Sequence, residues 1–157
     1  MGNPIVALPG TVYTLTLSTP AEAVDDNDVL ADRQEITDVF RRNGSAAILH
    51  SIVVLDEDDQ GVEMDIVFLD SDVTIGTEDA AVSITDANAR KIIGIVNIPA
   101  ANYVDLIANQ VATIDDIGLM MQAASSSTSL WVAAITRGTP THTASGLKLK
   151  FAISQLG

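Results

Sequence analysis

Acidic residues in two short runs are the side chains of this sequence best suited to hold a metal ion. Asp56, Asp58 and Gly61 occupy positions 1, 3 and 6 of a segment that begins like the calcium loop of an EF-hand. Position 12 of that loop must be a Glu but is Val67, and the following residues alternate as in a strand rather than a helix. A polar hairpin turn between two strands therefore explains this run better than a calcium site.

The second run supplies carboxylates without any ligand-like spacing. Asp25, Asp26, Asp28 and Asp32 could offer oxygen ligands to a hard cation. Acidic loops are commonly only solvated, and a solvated loop is the simpler interpretation here. We therefore predict no metal-binding residue and no cofactor.

The two histidines, His50 and His142, are the residues that could act as general bases. Their separation in the sequence does not argue against a Ser–His–Asp arrangement, because such triads assemble in space. Neither is accompanied by a Gly-x-Ser-x-Gly motif, and the chain has no cysteine. His50 falls in an apolar, strand-like segment, where we expect a buried structural histidine. We predict no catalytic residue and a protein that is not an enzyme; a small hydrolase is the least favoured alternative.

The charge of the chain excludes several partners. The formal net charge of the 157 residues is −13, which argues against binding to nucleic acid or to an anionic membrane surface. The acid is uneven: 17 Asp and Glu face three Arg up to Asp79, whereas four Asp face five Lys and Arg from Ala80 onward. One hydrated face and one neutral docking face would be compatible with this distribution. A solvated acidic surface that keeps the protein soluble is the simpler alternative.

The elements that position these residues are predicted to be strands. Apolar and polar residues alternate most clearly at 13–18, 62–68 and 147–154. Further predicted strands lie at 47–55, 95–98, 110–114, 117–122 and 130–136. One short helix is predicted at 87–93, capped by Thr85 or Asp86 and ended by Gly94. The sequence therefore predicts an all-β fold, an antiparallel β-sandwich that is jelly-roll-like, with one short helix.

The chain is predicted to form one domain. Residues 1–10 read as an irregular N-terminal arm, and 11–157 as a single β-sandwich domain in which residues 20–45 form a long acidic connection. The candidate partner-binding residues are the apolar residues of the arm and two lysines on the outer face of the last strand: Pro4, Ile5, Val6, Leu8, Lys148 and Lys150.

Four segments resemble a family of small structural proteins from tailed bacteriophages and prophages. They are residues 48–61, 66–70, 76–88 and 132–141, and the likeness extends over 46–153. The resemblance implies a virion structural protein, a capsid cement (decoration) protein that stabilises the assembled head.

The same resemblance sets expectations for partners and location. The implied partners are the major capsid protein and further copies of the chain, as a homodimer or homotrimer, with neither nucleic acid nor membrane. The implied location is the outer surface of the capsid, after synthesis in the bacterial cytoplasm. A tail or baseplate component that recognises a host receptor or glycan is the alternative.

Overall fold

Alternating apolar residues build two antiparallel sheets that pack face to face in a computed structural model, which describes residues 10–157. The larger sheet contains β1 (Gly10–Leu17), β3 (Ala46–Asp56), β6 (Tyr103–Asp105), β7 (Gln110–Ile114), β8 (Leu119–Gln122) and β10 (Leu147–Gln155). The smaller sheet contains β2 (Val29–Ile36), β4 (Met64–Leu69), β5 (Ile92–Ile98) and β9 (Leu130–Thr136).

The connectivity is that of a long hairpin rolled up on itself. β1 pairs with β10, β2 with β9, β3 with both β7 and β8, and β4 with β5. Successive pairs fall alternately in the larger and the smaller sheet. A doubled chain that alternates between two sheets in this way is a jelly roll, so the predicted fold class is confirmed.

The core lies between the inner faces of the two sheets. Inward residues such as Ile52 and Val54 of β3 are fully buried, as alternation predicts for a strand with one wet face. Phe68 of β4 and Phe151 of β10 meet across the core, with ring centroids 5.6 Å apart at an interplanar angle of 77°. This edge-to-face contact joins the two sheets through two of the largest fully buried side chains.

The outer faces of the two sheets differ. Residues 70–91, here called the covering segment, lie over the outer face of the smaller sheet, and Ile75 within it is buried against Val29, Val67 and Leu69. The outer face of the larger sheet has no comparable covering among residues 10–157. Within the part of the chain that the structure describes, the larger sheet therefore presents the uncovered outer face.

Several predicted boundaries need correction. The helix α1 (Asp86–Ala89) is shorter than the predicted 87–93, although Thr85 caps it by accepting a hydrogen bond from the Asn88 N–H at 3.2 Å. Gly94 does not end the helix but lies in β5, where an added Cβ would come within 2.4 Å of Leu119.

Two further differences concern the first part of the chain. Residues 20–45 are not simply a connection, because they contain β2. Gly10, placed at the end of the predicted arm, begins β1 and pairs with Ser154. In the part of the chain that the structure describes, no helix is long and apolar enough to cross a membrane.

Candidate protein-binding surface

A row of cross-strand partners crosses the outer face of the larger sheet. Thr16 of β1 pairs with Lys148 of β10, Lys148 with Leu55 of β3, Leu55 with Val111 of β7, and Val111 with Val104 of β6. Directly paired residues point to the same face of a sheet, so this row is polar at one end and apolar at the other. Val104 is 61% exposed at the apolar end.

A second row runs beside the first. Thr14, Lys150, Val53 and Thr113 are paired across β1, β10, β3 and β7. Together the two rows enclose a shallow groove of about 210 Å³, lined by the apolar residues and both lysines: Val53, Leu55, Val111, Lys148 and Lys150. We call this groove, with Val104 and the β6–β7 hairpin, the outer patch.

The two lysines give the outer patch a local positive charge on an acidic protein. Lys148 is partly engaged, since its Nζ lies 3.1 Å from Glu57 Oε2. Lys150 is exposed and forms no ion pair with any residue in 10–157.

The hairpin between β6 and β7 extends the outer patch with two exposed apolar side chains. Leu106 is 53% exposed and Ile107 is 92% exposed. The turn is closed by the Leu106 N–H, which donates to Asn109 O at 2.8 Å, and by the Ile107 N–H, which donates to Asp105 Oδ1 at 2.7 Å. Ile107 has a φ of 79°, a left-handed conformation that is strained for a β-branched residue.

The structure places only some of the predicted partner-binding residues. Lys148 and Lys150 project from the outer face of β10, as their alternation indicates, and both line the groove. Pro4, Ile5, Val6 and Leu8 lie outside the described residues. The strained apolar tip at Ile107 was not predicted, because the sequence contains no signal for its backbone conformation.

His50 is exposed, so the expectation of a buried core histidine is wrong. Its strand is covered on one face only, and the β10 register shifts beside it. His50 Nε2 lies 2.8 Å from Ser154 Oγ, in a depression of about 450 Å³ that Asp115 and Asp116 also line. Among residues 10–157, His50 forms no ion pair with either acid.

The acidic run after β3 is not a hairpin turn, which corrects the sequence-based interpretation. β3 belongs to the larger sheet and β4 to the smaller one, so the segment crosses between sheets. Asp56 ends β3 as a fully buried residue and lies near the buried His142. Burial lowers the pKa of His142, and the carboxylates of Asp56 and Asp58 oppose that shift without reversing it.

Comparisons with known proteins add little beyond the fold. No family model and no curated protein matches the sequence. A chain of the crystal structure of tomato aspermy virus is similar in structure over 100% of this chain and 83% of that one, with 8% identity and a TM-score of 0.39. A chain of the structure of infectious bursal disease virus, strain Gx, is similar over 100% and 42%, with 13% identity and a TM-score of 0.19.

Proposed function

We propose that this protein is a capsid cement protein that binds the outer surface of an assembled bacteriophage head through its outer patch. The observation that carries the proposal is the patch itself, an apolar face with two lysines that no other part of residues 10–157 covers, on a chain of net charge −13. Exposed apolar surface bounded by polar residues is typical of protein–protein interaction sites.

The identity of the bound surface rests on the sequence resemblance. Segments 48–61 and 132–141 resemble structural proteins of tailed phages, and they include parts of β3 and β9 in this fold. Jelly rolls occur in capsid proteins but also in lectins and cupins, so the fold alone does not decide between them. The patch supports binding to a protein surface, and the resemblance supports the capsid as that surface.

Binding at many equivalent positions would stabilise a shell with modest contacts at each one. We propose that the major capsid protein is the partner and that the chain acts as a homodimer or homotrimer, so that several patches engage the shell together. Light scattering during size-exclusion chromatography measures the oligomer directly. A monomer at capsid-binding concentrations would contradict this part of the proposal.

The main test mixes the purified protein with expanded capsids that lack it. We expect saturable co-sedimentation and a capsid that withstands a higher temperature. The double variant Ile107→Asp/Lys150→Glu should reduce co-sedimentation at least about 10-fold, since it removes an apolar contact and reverses a charge in the patch.

A matched control separates the patch from general surface effects. The double variant Ile95→Asp/Lys91→Glu makes the same two changes at residues on or beside β5 of the smaller sheet, where Ile95 is 54% exposed. This control should bind like the wild type. Equal loss in both double variants, or no binding by the wild type, would overturn the proposal.

The alternative function, recognition of a host receptor or glycan by a tail or baseplate component, predicts a different location. Antibody labelling of intact virions distinguishes the two functions. Label over the whole head supports the cement proposal, whereas label confined to the tail would replace it.

A further inference from the structure

Two connections between the sheets meet at one end of the sandwich. Residues 57–63 lead from β3 to β4, and residues 137–146 lead from β9 back to β10. The Glu57 N–H donates to Gly146 O at 2.9 Å, and the Thr141 N–H donates to Gln60 Oε1 at 3.1 Å. The two connections therefore form one hydrogen-bonded unit.

His142 is buried within this unit without a hydrogen-bond partner. Its side chain is 1% exposed, and neither Nδ1 nor Nε2 forms a hydrogen bond with any residue in 10–157. Buried side-chain polar atoms are rarely left unpaired, because losing water without gaining a partner costs free energy. Both ring nitrogens of His142 are thus available to a ligand in the interior.

Two carboxylates face the Nδ1 atom of this imidazole. Nδ1 lies 3.6 Å from Asp56 Oδ1 and 3.6 Å from Asp58 Oδ2, and the three candidate ligand atoms all lie within 4.8 Å of one another. These distances are too long for hydrogen bonds. They are close to the separation of about 3.4 Å between neighbouring ligands that tetrahedral zinc bonds of about 2.1 Å would give.

The charge of the cluster also fits a divalent cation. Asp56 is 1% exposed and Asp58 is 17% exposed, and among residues 10–157 neither is paired with a lysine or arginine. Two neighbouring carboxylates with little exposure repel each other, and a bound cation would relieve that repulsion. A neutral imidazole and two carboxylates would together balance one divalent ion.

The carboxylates are already held in place by the surrounding backbone. Asp58 Oδ2 accepts a hydrogen bond from the Thr143 N–H at 2.8 Å, and Asp56 Oδ1 accepts one from the Asp58 N–H at 3.0 Å. Gly146 lies directly against Asp58, because an added Cβ would stand 1.7 Å from Asp58 Oδ2. Outer contacts of this kind orient the ligands of metal sites.

We propose that Asp56, Asp58 and His142 form a binding site for a divalent transition metal ion of the zinc class. A set of one nitrogen and two oxygen ligands suits Zn²⁺ better than Ca²⁺, which requires six to eight oxygen ligands. The ion would fasten the two inter-sheet connections to each other. This proposal does not depend on the proposed capsid binding, and a separate experiment tests it.

The test titrates the EDTA-treated and dialysed full chain with ZnCl₂ by calorimetry and follows its thermal midpoint. We expect one Zn²⁺ per chain and a midpoint that rises with Zn²⁺ concentration, since an ion that binds the folded chain stabilises it by mass action. Co²⁺ should bind at the same site and give the visible absorption of tetrahedral cobalt. His142→Gln and Asp58→Asn should each weaken Zn²⁺ binding at least about 10-fold.

The exposed histidine supplies the matched control, because His50→Gln removes the same chemical group from the surface and should bind Zn²⁺ like the wild type. Circular dichroism in EDTA checks that every variant is folded. If His142→Gln does not fold, the more exposed Asp58→Asn decides the question. The proposal is overturned if the wild type binds no stoichiometric Zn²⁺, if Ca²⁺ competes equally, or if His50→Gln weakens binding as much as Asp58→Asn.

Discussion

The residue that departs most from ordinary conformational preference is also among the most exposed apolar residues of the chain. Ile107 holds a φ of 79° and is 92% exposed. A left-handed backbone costs a non-glycine residue about 1–2 kcal/mol. No part of residues 10–157 covers the Ile107 side chain, so packing does not offset this cost. Strain of this kind commonly accompanies a functional contact, and here it presents an apolar side chain at the tip of the outer patch.

Replacing this residue separates stability from binding. Asparagine tolerates the left-handed conformation, so Ile107→Asn should raise the free energy of unfolding by about 1 kcal/mol. The same change removes the apolar tip and should weaken capsid binding. Urea denaturation and capsid co-sedimentation measure the two effects. A more stable variant that binds as well as the wild type would show that Ile107 makes no contact with the capsid.

The sequence predicts the exposure and contacts of some individual side chains but not of others. The outward direction of Lys148 and Lys150 follows from the period of two in their strand, and the structure has both on the outer face. The exposure of His50 could not be predicted from its apolar neighbours, because it depends on which face of β3 is covered. His142 and Asp56 lie 86 residues apart in the sequence, so no local pattern predicts their approach.

At the scale of elements, the covering segment decides which sheet face remains free. Asp32 of β2 fastens this segment, since its carboxylate accepts hydrogen bonds from Thr74 Oγ1 at 2.9 Å and from the Ile75 N–H at 3.2 Å. The Arg33 guanidinium forms an ion pair with the same carboxylate, and its Nε lies 2.8 Å from Asp72 Oδ1. Burial acts to raise the pKa of Asp32, but the hydrogen bonds from Arg33, Ile75 and Thr74 outweigh it and lower the pKa below its ordinary value.

This lowered pKa predicts a pH-dependent stability. An ionised Asp32 contributes stability above its unfolded pKa of 3.8, and the contribution is lost as the pH falls through the lower folded value. Asp32→Asn should therefore reduce the free energy of unfolding by about 1 kcal/mol at pH 7, and the difference should shrink below pH 4. Urea denaturation at several pH values measures it. The exposed Asp26→Asn is the control for charge alone, and an equal loss there would contradict the role of Asp32.

Most elements could be predicted, and the failures have physical causes. The intervals of β7 and β9 agree with the predicted strands, because each is a short apolar run between polar turns. β2 was missed because its centre, Asp32–Glu35, is polar and its pairing with β9 is irregular. The predicted helix was too long because Ile92 pairs with Leu69 of β4 and Ile93 packs against the core, so both residues belong to β5.

At the scale of the whole molecule, the contact between Phe68 and Phe151 couples the two sheets. Phe151→Ala should remove a large buried side chain and leave a cavity, which costs about 3–5 kcal/mol. Urea denaturation of this variant should still show a single unfolding transition, with its midpoint at a lower urea concentration. Val12→Ala, at a position that is 62% exposed on the neighbouring strand, should change stability by less than about 0.5 kcal/mol. A small effect of Phe151→Ala would mean that the sheets are held together elsewhere.

The whole fold also revises the meaning of the charge asymmetry. Each sheet contains strands from the acidic first half and from the nearly neutral second half, and β10 and β9 each lie between two strands of the first half. The sequence halves therefore do not become two faces of the molecule. The surface that we propose for docking is instead local, since the outer patch combines apolar residues with two lysines.

The place of β10 in the larger sheet has a consequence for how the chain folds during synthesis. β10 lies between β1 and β3, so among residues 10–157 the partner strand of β1 is synthesised only when residues 147–155 have followed it. Sheets built from such distant pairings fold slowly and expose unpaired edges meanwhile. The growing chain must therefore stay soluble while its larger sheet is incomplete, and the 17 acidic residues up to Asp79 give the early part of the chain that protection through mutual repulsion.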